Sequence, residues 1–432
     1  MLFVVTLLKN SFRLSWLYGG FNGSRMLVGA INSMFLLRTG VTLGQLAVLQ
    51  IVFSIGVLVL EFPTGFIGDM FSKKLSVLIS VVCMSTYYLM CLTAPNMYLL
   101  ILSQIIYAMG MCLASGSLEG WIIDTSNYEY NFDKDKINYF GYLRNEVLGL
   151  ISMFAGPAGC FLVYLYNKSY SLLYILTAVV MVLFFIAFSL IPCKDKFKIK
   201  SFRKNKEISS KAITIFKELK ICLTNKNGLY YLAISSCLAA TYQVIFFYWQ
   251  PFFIQISKSK KSNISLLNNE AVLLGVIFFV YSLSKLLINK YVRKNMERIN
   301  LFKLSLSASI LCAILIILVS FSNNFNIIFS ILVFGLFQGL LSIVDITTQC
   351  EFLKSVPEGI IASSLSAINA VTRLLSLIML WIISIAITNN TINKFFMSTS
   401  LLYITIFALI YLWNKHIRRN LNDKLVSTIN VR

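Results

Sequence analysis

Several charged side chains in this sequence lie inside stretches that are otherwise apolar. Arg25, Glu119, Asp345 and Arg373 are each flanked by aliphatic and aromatic runs. A charge at mid-bilayer costs roughly 2.5–3.5 kcal/mol on insertion scales, so it is kept where it faces a partner or a wet space. An arginine there presents a rigid fork of donors suited to a carboxylate or phosphate. It does not release a proton, so any coupling to protons must fall to a carboxylate. Glu119 is the leading candidate for that role, ahead of Glu61, Glu146 and Asp345. Two readings stay open. The arginines grip an acidic group on a small molecule, or Arg25 pairs with Glu119 and Arg373 with Asp345 as structural bridges.

Helical spacing gathers further polar residues around these charges. Asn22, Arg25, Gly29 and Asn32 share one face, as do Gln104, Tyr107, Met111, Ser115 and Glu119. Gln338, Ser342, Asp345 and Gln349 form a third stripe, and Ser366, Asn369, Arg373 and Ser376 a fourth. Tyr242, Phe246 and Trp249 make an aromatic stripe, which fits either a flat apolar part of a ligand or plain packing. The expected binding residues are therefore Asn22, Arg25, Asn32, Tyr107, Glu119, Tyr242, Trp249, Gln338, Asn369 and Arg373.

These stripes need helices to carry them. The 432 residues are 58% hydrophobic and only 13% charged, about half the charged share of a soluble domain. The apolar runs are long and do not alternate, which selects membrane helices over a barrel. Twelve spans are expected, at about 14–37, 43–67, 75–94, 98–125, 141–166, 171–192, 228–256, 271–292, 303–321, 326–350, 359–387 and 395–414. The start, MLFVVTLLKNSFR, carries its cations after the apolar run and so reads as a lead-in to the first span.

Other chemistries find little support. None of the nine cysteines forms a CxxC or CxxH pair, and the single histidine, His416, follows the last span. No metal site and no cofactor is expected. A GxxxxGK[ST] phosphate loop is missing, which argues against direct use of ATP. A membrane enzyme with a histidine base is disfavoured for the same lack of histidine.

The net charge of +21 is distributed unevenly. With the N-terminus cytoplasmic, the outer loops hold six basic residues: Arg38, Lys168, Lys258, Lys260, Lys261 and Lys394. Arg25, Lys285 and Arg373 lie within spans, and the remaining 29 fall on the cytoplasmic side. Both termini are thus expected on the cytoplasmic side of the cell membrane. Anionic lipid accounts for the charge without a nucleic-acid partner. The densest basic stretch, 193–227, divides the chain into an N-terminal six-helix bundle (1–192) and a C-terminal one (228–414), with a cytoplasmic tail at 415–432. The halves read as a repeat. Gly65, Asp69, Lys73 and Lys74 align with Lys285, Asn289, Arg293 and Lys294 at an offset of 220. Ile122-Ile123-Asp124 aligns with Ile343-Val344-Asp345 at 221.

The segment Glu61–Leu75, EFPTGFIGDMFSKKL, resembles the signature loop between the second and third helices of major facilitator superfamily transporters. Ala114–Gly120 (ASGSLEG) with Asp124 is similar to a segment of a bacterial drug and metabolite efflux subgroup. Gly156-Pro157-Ala158-Gly159 resembles the Gly-Pro element of antiporters, and Pro357–Ser366 the subgroup's entry to helix eleven with Ile361 in place of an arginine. The stretch Leu102–Gly110, LSQIIYAMG, lacks the arginine usual early in helix four of proton-coupled drug antiporters. The resemblance implies an all-α membrane fold of twelve helices in two pseudo-symmetric bundles of six. It implies a central cavity lined by helices one, four, seven and ten, and a cytoplasmic gate formed by Gly65, Asp69, Lys73, Lys74, Asp124 and Asp345.

The expected function is proton-coupled export of a drug-like compound or secondary metabolite by alternating access, with a small-molecule substrate, the proton gradient and the bilayer as partners and a monomer as the working unit. The alternative is import of an organic anion by proton symport, using the same arginines. A non-transporting sensor that keeps the fold is a third reading, against which the intact first-half loop argues.

Overall fold

The computed structural model describes residues 9–70, 72–129, 134–166, 169–192, 225–259, 265–295, 299–321, 326–355, 371–378, 381 and 392–429. Within these ranges several side chains lie outside the description, among them those of 61–70, 115–116, 123–124 and 420–429. The helices are α1 (Asn10–Ser24), α2 (Met26–Gly29), α3 (Asn32–Arg38), α4 (Leu43–Met70), α5 (Lys73–Cys91), α6 (Met97–Glu129), α7 (Lys134–Leu165) and α8 (Tyr170–Leu190). There follow α9 (Lys226–Ser259), α10 (Glu270–Lys294), α11 (Leu301–Ser320), α12 (Ile327–Ser355), α13 (371–378) and α14 (Ile392–Ile429). Among the described residues, eight helices are long and apolar enough to cross a membrane. Each coincides with an expected span. Most of the eleventh span, 359–387, lies outside the described residues.

The pairing of helices shows the repeat. In the first half α4 and α5 pack on α6, α5 packs on α8, and α1 packs on α6 and α8. In the second half α10 and α11 pack on α12, α11 packs on α14, and α9 packs on α12 and α14. The halves meet where α7 packs on α10 and where α3 packs on α9. Aromatic rings fill the second half: Trp413, Tyr403, Phe334, Phe337, Phe352 and Phe396 are all buried.

The first span differs from expectation. It is not one helix but three short ones, interrupted at Arg25 and at Ala30–Ile31, where Ile31 has φ −134° and ψ 5°. A break in lipid must have its freed backbone groups satisfied. Gln250 on α9 does this. Its Nε2 donates to the Gly29 carbonyl oxygen at 3.1 Å, and its Oε1 accepts from the Met34 amide at 3.4 Å. α7 also leans on the interrupted span. A Cβ on Gly159 would fall 2.0 Å from the Leu27 carbonyl oxygen, and one on Gly156 would fall 2.2 Å from the Phe278 ring of α10. The Gly-Pro-Ala-Gly segment therefore lets α7 approach both halves closely.

Helix ends differ as well. α6 runs to Glu129, α7 starts at Lys134 and α14 continues to Ile429. Charged residues end an apolar run but do not end a helix, so hydropathy cuts these helices short. The expected tail at 415–432 is helical through Ile429.

Candidate functional site

Arg25 sits at the interruption between α1 and α2, and its residue is only 8% exposed. Its Nη1 donates to Asn22 Oδ1 at 2.9 Å, and its Nη2 donates to the Tyr107 hydroxyl of α6. The guanidinium also lies 5.2 Å from the Tyr107 ring centroid and interacts with the Tyr88 hydroxyl. Tyr107 is held in turn by stacking on Tyr87 at 4.2 Å. Nε of Arg25 is buried without a hydrogen-bond partner. Every neighbour holding this cation is neutral. No carboxylate among the described residues lies within salt-bridge distance of it.

Glu119 does not pair with Arg25. It lies twelve residues beyond Tyr107 on α6, about 18 Å further along the helix at 1.5 Å per residue. Instead its Oε1 lies 3.5 Å from Nη1 of Arg144 on α7 and accepts from the Tyr18 hydroxyl at 3.2 Å. The Arg144 guanidinium sits 5.0 Å from the Tyr18 ring centroid. Arg144 lies just inside the start of the expected fifth span, 141–166.

In the second half the charges gather around Tyr242 of α9. Lys285 Nζ lies 5.5 Å from the Tyr242 ring centroid and 5.0 Å from that of Tyr281. Asp345 of α12 is exposed and within electrostatic reach of both Lys285 and Tyr242. Arg373 is half-buried and also reaches Tyr242. Tyr242, itself 39% exposed, senses Arg25 and Tyr107 from the first half too. Polar groups of α1, α6, α9, α10, α12 and α13 thus converge on one region between the halves. The expected Arg373–Asp345 bridge is absent, since no described cation lies within salt-bridge distance of Asp345.

Other expected lining residues are placed differently. Asn32 accepts from the Tyr174 hydroxyl of α8, inside the first half. Trp249 is 3% exposed and stacks on Phe334 at 6.1 Å, inside the second. Gln338 is buried, and its Oε1 has no hydrogen-bond partner. Asn369 lies outside the described residues.

At the bundle end that carries the described chain ends, Lys73 and Lys74 are the expected gate residues whose side chains are described, whereas Asp345 lies near Lys285 and Tyr242. The side chains at Gly65, Asp69 and Asp124 lie outside the description. Lys73 runs along Gly120 of α6, with Nζ 3.0 Å from where a Cβ there would sit. Lys74 Nζ donates to the carbonyl oxygens of Ser189 and Ile191, both at 2.7 Å, and so caps the C-terminus of α8. Glu129 Oε1 accepts from the Asn10 amide at 2.8 Å and Oε2 from the Ser11 amide at 3.1 Å, capping α1. At the opposite end Arg38 and Glu270 join the two halves at 2.5 Å, with Lys258 Nζ 3.5 Å from the same carboxylate.

Residues 14–380 match the Major Facilitator Superfamily. A curated relative, the uncharacterized MFS-type transporter YxaM of Bacillus subtilis (strain 168), is 26% identical over 228 residues, half of this chain. The match spans about half the length of that relative (52%). The nucleoside transporter NupG has a similar structure, with TM-score 0.64, 14% identity, and coverage of 94% of this chain and 98% of its own. So does a chain from a study of substrate recognition in proton dependent oligopeptide transporters, with TM-score 0.71, 10% identity, and coverage of 95% and 99%. At these identities the likeness concerns the fold alone. The chain belongs to the Major Facilitator Superfamily and has its all-α membrane fold.

Proposed function

We propose that the protein is a proton-coupled secondary transporter of small organic molecules, working by alternating access in the cell membrane with both termini cytoplasmic. The observation that carries this is the meeting of Arg25 and Tyr107 from one half with Tyr242, Asp345 and Arg373 from the other. Two halves that can rock about such a region can expose it to either side in turn. The Arg38–Glu270 contact and the Gln250 bonds tie the halves at the outer end, while Glu119, Asp345 and Tyr242 remain accessible. We read this as the inward-facing state. Residues 1–192 and 228–414 would be the rocking units, 193–227 their linker and a monomer the working unit. Asn22, Arg25, Tyr107, Tyr242, Gln338, Asn369 and Arg373 would meet the substrate. Asp69, Lys73 and Asp124 would close the inner mouth.

Coupling falls to Glu119 or Asp345. The Ala114–Gly120 segment supports export of a drug-like compound or secondary metabolite. A second reading, import of an organic anion with protons, is favoured by Lys285 with Asp345 in its reach, and by Arg25 and Arg373 within reach of Tyr242. The test is purified protein in liposomes carrying an internal pH dye. Solutes that collapse or build an imposed pH gradient only when the protein is present support the reading, and the lack of a protein-dependent response to any solute contradicts it.

A further inference from the structure

We propose that an anionic phospholipid of the inner leaflet binds the second half where α14 passes the starts of α9 and α11, and that it holds these three helices together there. The leaflet follows from the orientation proposed above. The binding itself needs a bilayer and no particular cargo.

α14 has 38 residues and is about 57 Å long at 1.5 Å per residue, whereas bilayer hydrocarbon is about 30 Å thick. The helix therefore leaves the hydrocarbon and passes the headgroups. Its two faces differ. Tyr403, Ile406, Ile410 and Trp413 are fully buried against the bundle. Leu401, Ile404 and Tyr411 are exposed, and their face continues at helical spacing into Lys415 and Arg418, which are exposed too. Arg419 stands beside them, also exposed. A face that is apolar along its length and then turns cationic matches a phospholipid, acyl chain first and phosphate after.

Two neighbouring helices bring further cations to the same level. Trp413 Nε1 donates to Asn227 Oδ1 at 3.3 Å, which sets the start of α9 beside α14. The rings of Trp413 and Phe302 lie 5.7 Å apart, which does the same for the start of α11. Lys226 precedes Asn227 and Lys303 follows Phe302, and both are exposed. Lys226, Lys303, Lys415, Arg418 and Arg419 thus surround one buried tryptophan. Among the described residues none of the five has a carboxylate within salt-bridge distance. The side chain of Asp423, one turn beyond Arg419, lies outside the description.

The first half ties its helix ends at this level by internal contacts. Lys74 donates to two carbonyl oxygens of α8, and Lys9 donates to the Glu129 carbonyl oxygen at 3.4 Å. The Glu129 carboxylate joins the start of α1 to the end of α6. In the second half five like charges crowd three helices and repel one another. An anionic lipid supplies the counter-charge: its phosphate accepts from Arg418 and Arg419, and its chains lie on Tyr411 and Ile404. A zwitterionic lipid brings a cation of its own and is attracted less. A free phosphate has the charge but no chains.

The experiment uses the full chain in nanodiscs of phosphatidylcholine, alone or mixed with phosphatidylglycerol, with inorganic phosphate as the soluble probe. Native mass spectrometry reads the lipid retained. Hydrogen–deuterium exchange reads residues 226–231, 301–305 and 413–419. The expected result is preferential retention of phosphatidylglycerol, with slower exchange in those three segments and little change over 9–15 and 73–78. Lys415→Gln/Arg418→Gln/Arg419→Gln should weaken phosphatidylglycerol binding about a hundredfold, from about fivefold for each cation. Arg418→Lys/Arg419→Lys should keep most of it, which controls for folding. Lys290→Gln/Lys294→Gln removes two exposed cations from α10, which packs on α7 and α12, and should leave retention nearly unchanged. Equal retention of the two lipids, or an equal loss in the α10 variant, overturns the proposal, because charge would then attract lipid diffusely or not at all. Phosphate that slows exchange in phosphatidylcholine discs as much as phosphatidylglycerol does overturns it too, because the cations would then take a free anion. Each of these failures leaves the transport reading standing, since the pH-dye assay tests that separately.

Discussion

Arg38 Nη2 and Glu270 Oε2 lie 2.5 Å apart, one at the end of the first span and the other at the start of the eighth. The contact joins the two halves at the end away from the described chain ends. Arg38 is 47% exposed, so the pair is worth about 0–1 kcal/mol and can be made and broken repeatedly. That suits a closure that must open once per cycle.

Glu270→Gln should keep the fold and loosen this end. Hydrogen–deuterium exchange across 26–38 should quicken by up to about fivefold, the factor for 1 kcal/mol. High salt should produce part of the same effect in the unaltered protein. Unchanged exchange would mean that the pair does not close the bundle.

Gln250→Leu should be costlier. It keeps much of the side-chain volume but orphans the Gly29 carbonyl and the Met34 amide, whose two bonds now bridge the break. A loss of about 1–3 kcal/mol is expected, read as a lower melting temperature in detergent. A variant as stable as the parent would show that the break does not depend on Gln250.

The break illustrates what the sequence hides. Gly29-Ala30-Ile31 contains no proline, and the side chain that satisfies it is 221 positions away. Apolar length made the other spans legible, because lipid demands it of every helix alike. Arg25, Tyr107, Tyr242 and Arg373 stand out in the sequence because a polar group in an apolar run carries its own cost. Trp249 and Asn32 were not separable from them, since helical spacing shows a shared face and not what covers it. Arg144 was masked by its place at the edge of an apolar run. Lys285 stands within a span, where the sequence marks it only as part of the repeat.

Arg25→Gln should abolish transport without loss of folded protein, and Arg25→Lys should restore little. Lysine keeps the charge but cannot reach Asn22 and Tyr107 with a planar fork. Near-normal flux in Arg25→Gln would make the residue structural.

Glu119→Gln and Asp345→Asn should differ in kind. Glu119 is paired with Arg144 and Tyr18, so its loss should lower the rate and leave the pH profile in place. Asp345→Asn should flatten the profile. A flattened profile in Glu119→Gln alone would move the proton to the first half.

The most direct measurement asks whether Tyr242 faces water. In a background without native cysteines, Tyr242→Cys is exposed to a charged, membrane-impermeant thiosulfonate from either side of oriented vesicles, and to a lipid-partitioning maleimide. The account predicts reaction with the charged reagent from the side of the chain termini. Reaction with the lipid-partitioning reagent alone would contradict it, because Tyr242 would then face acyl chains rather than the space between the halves.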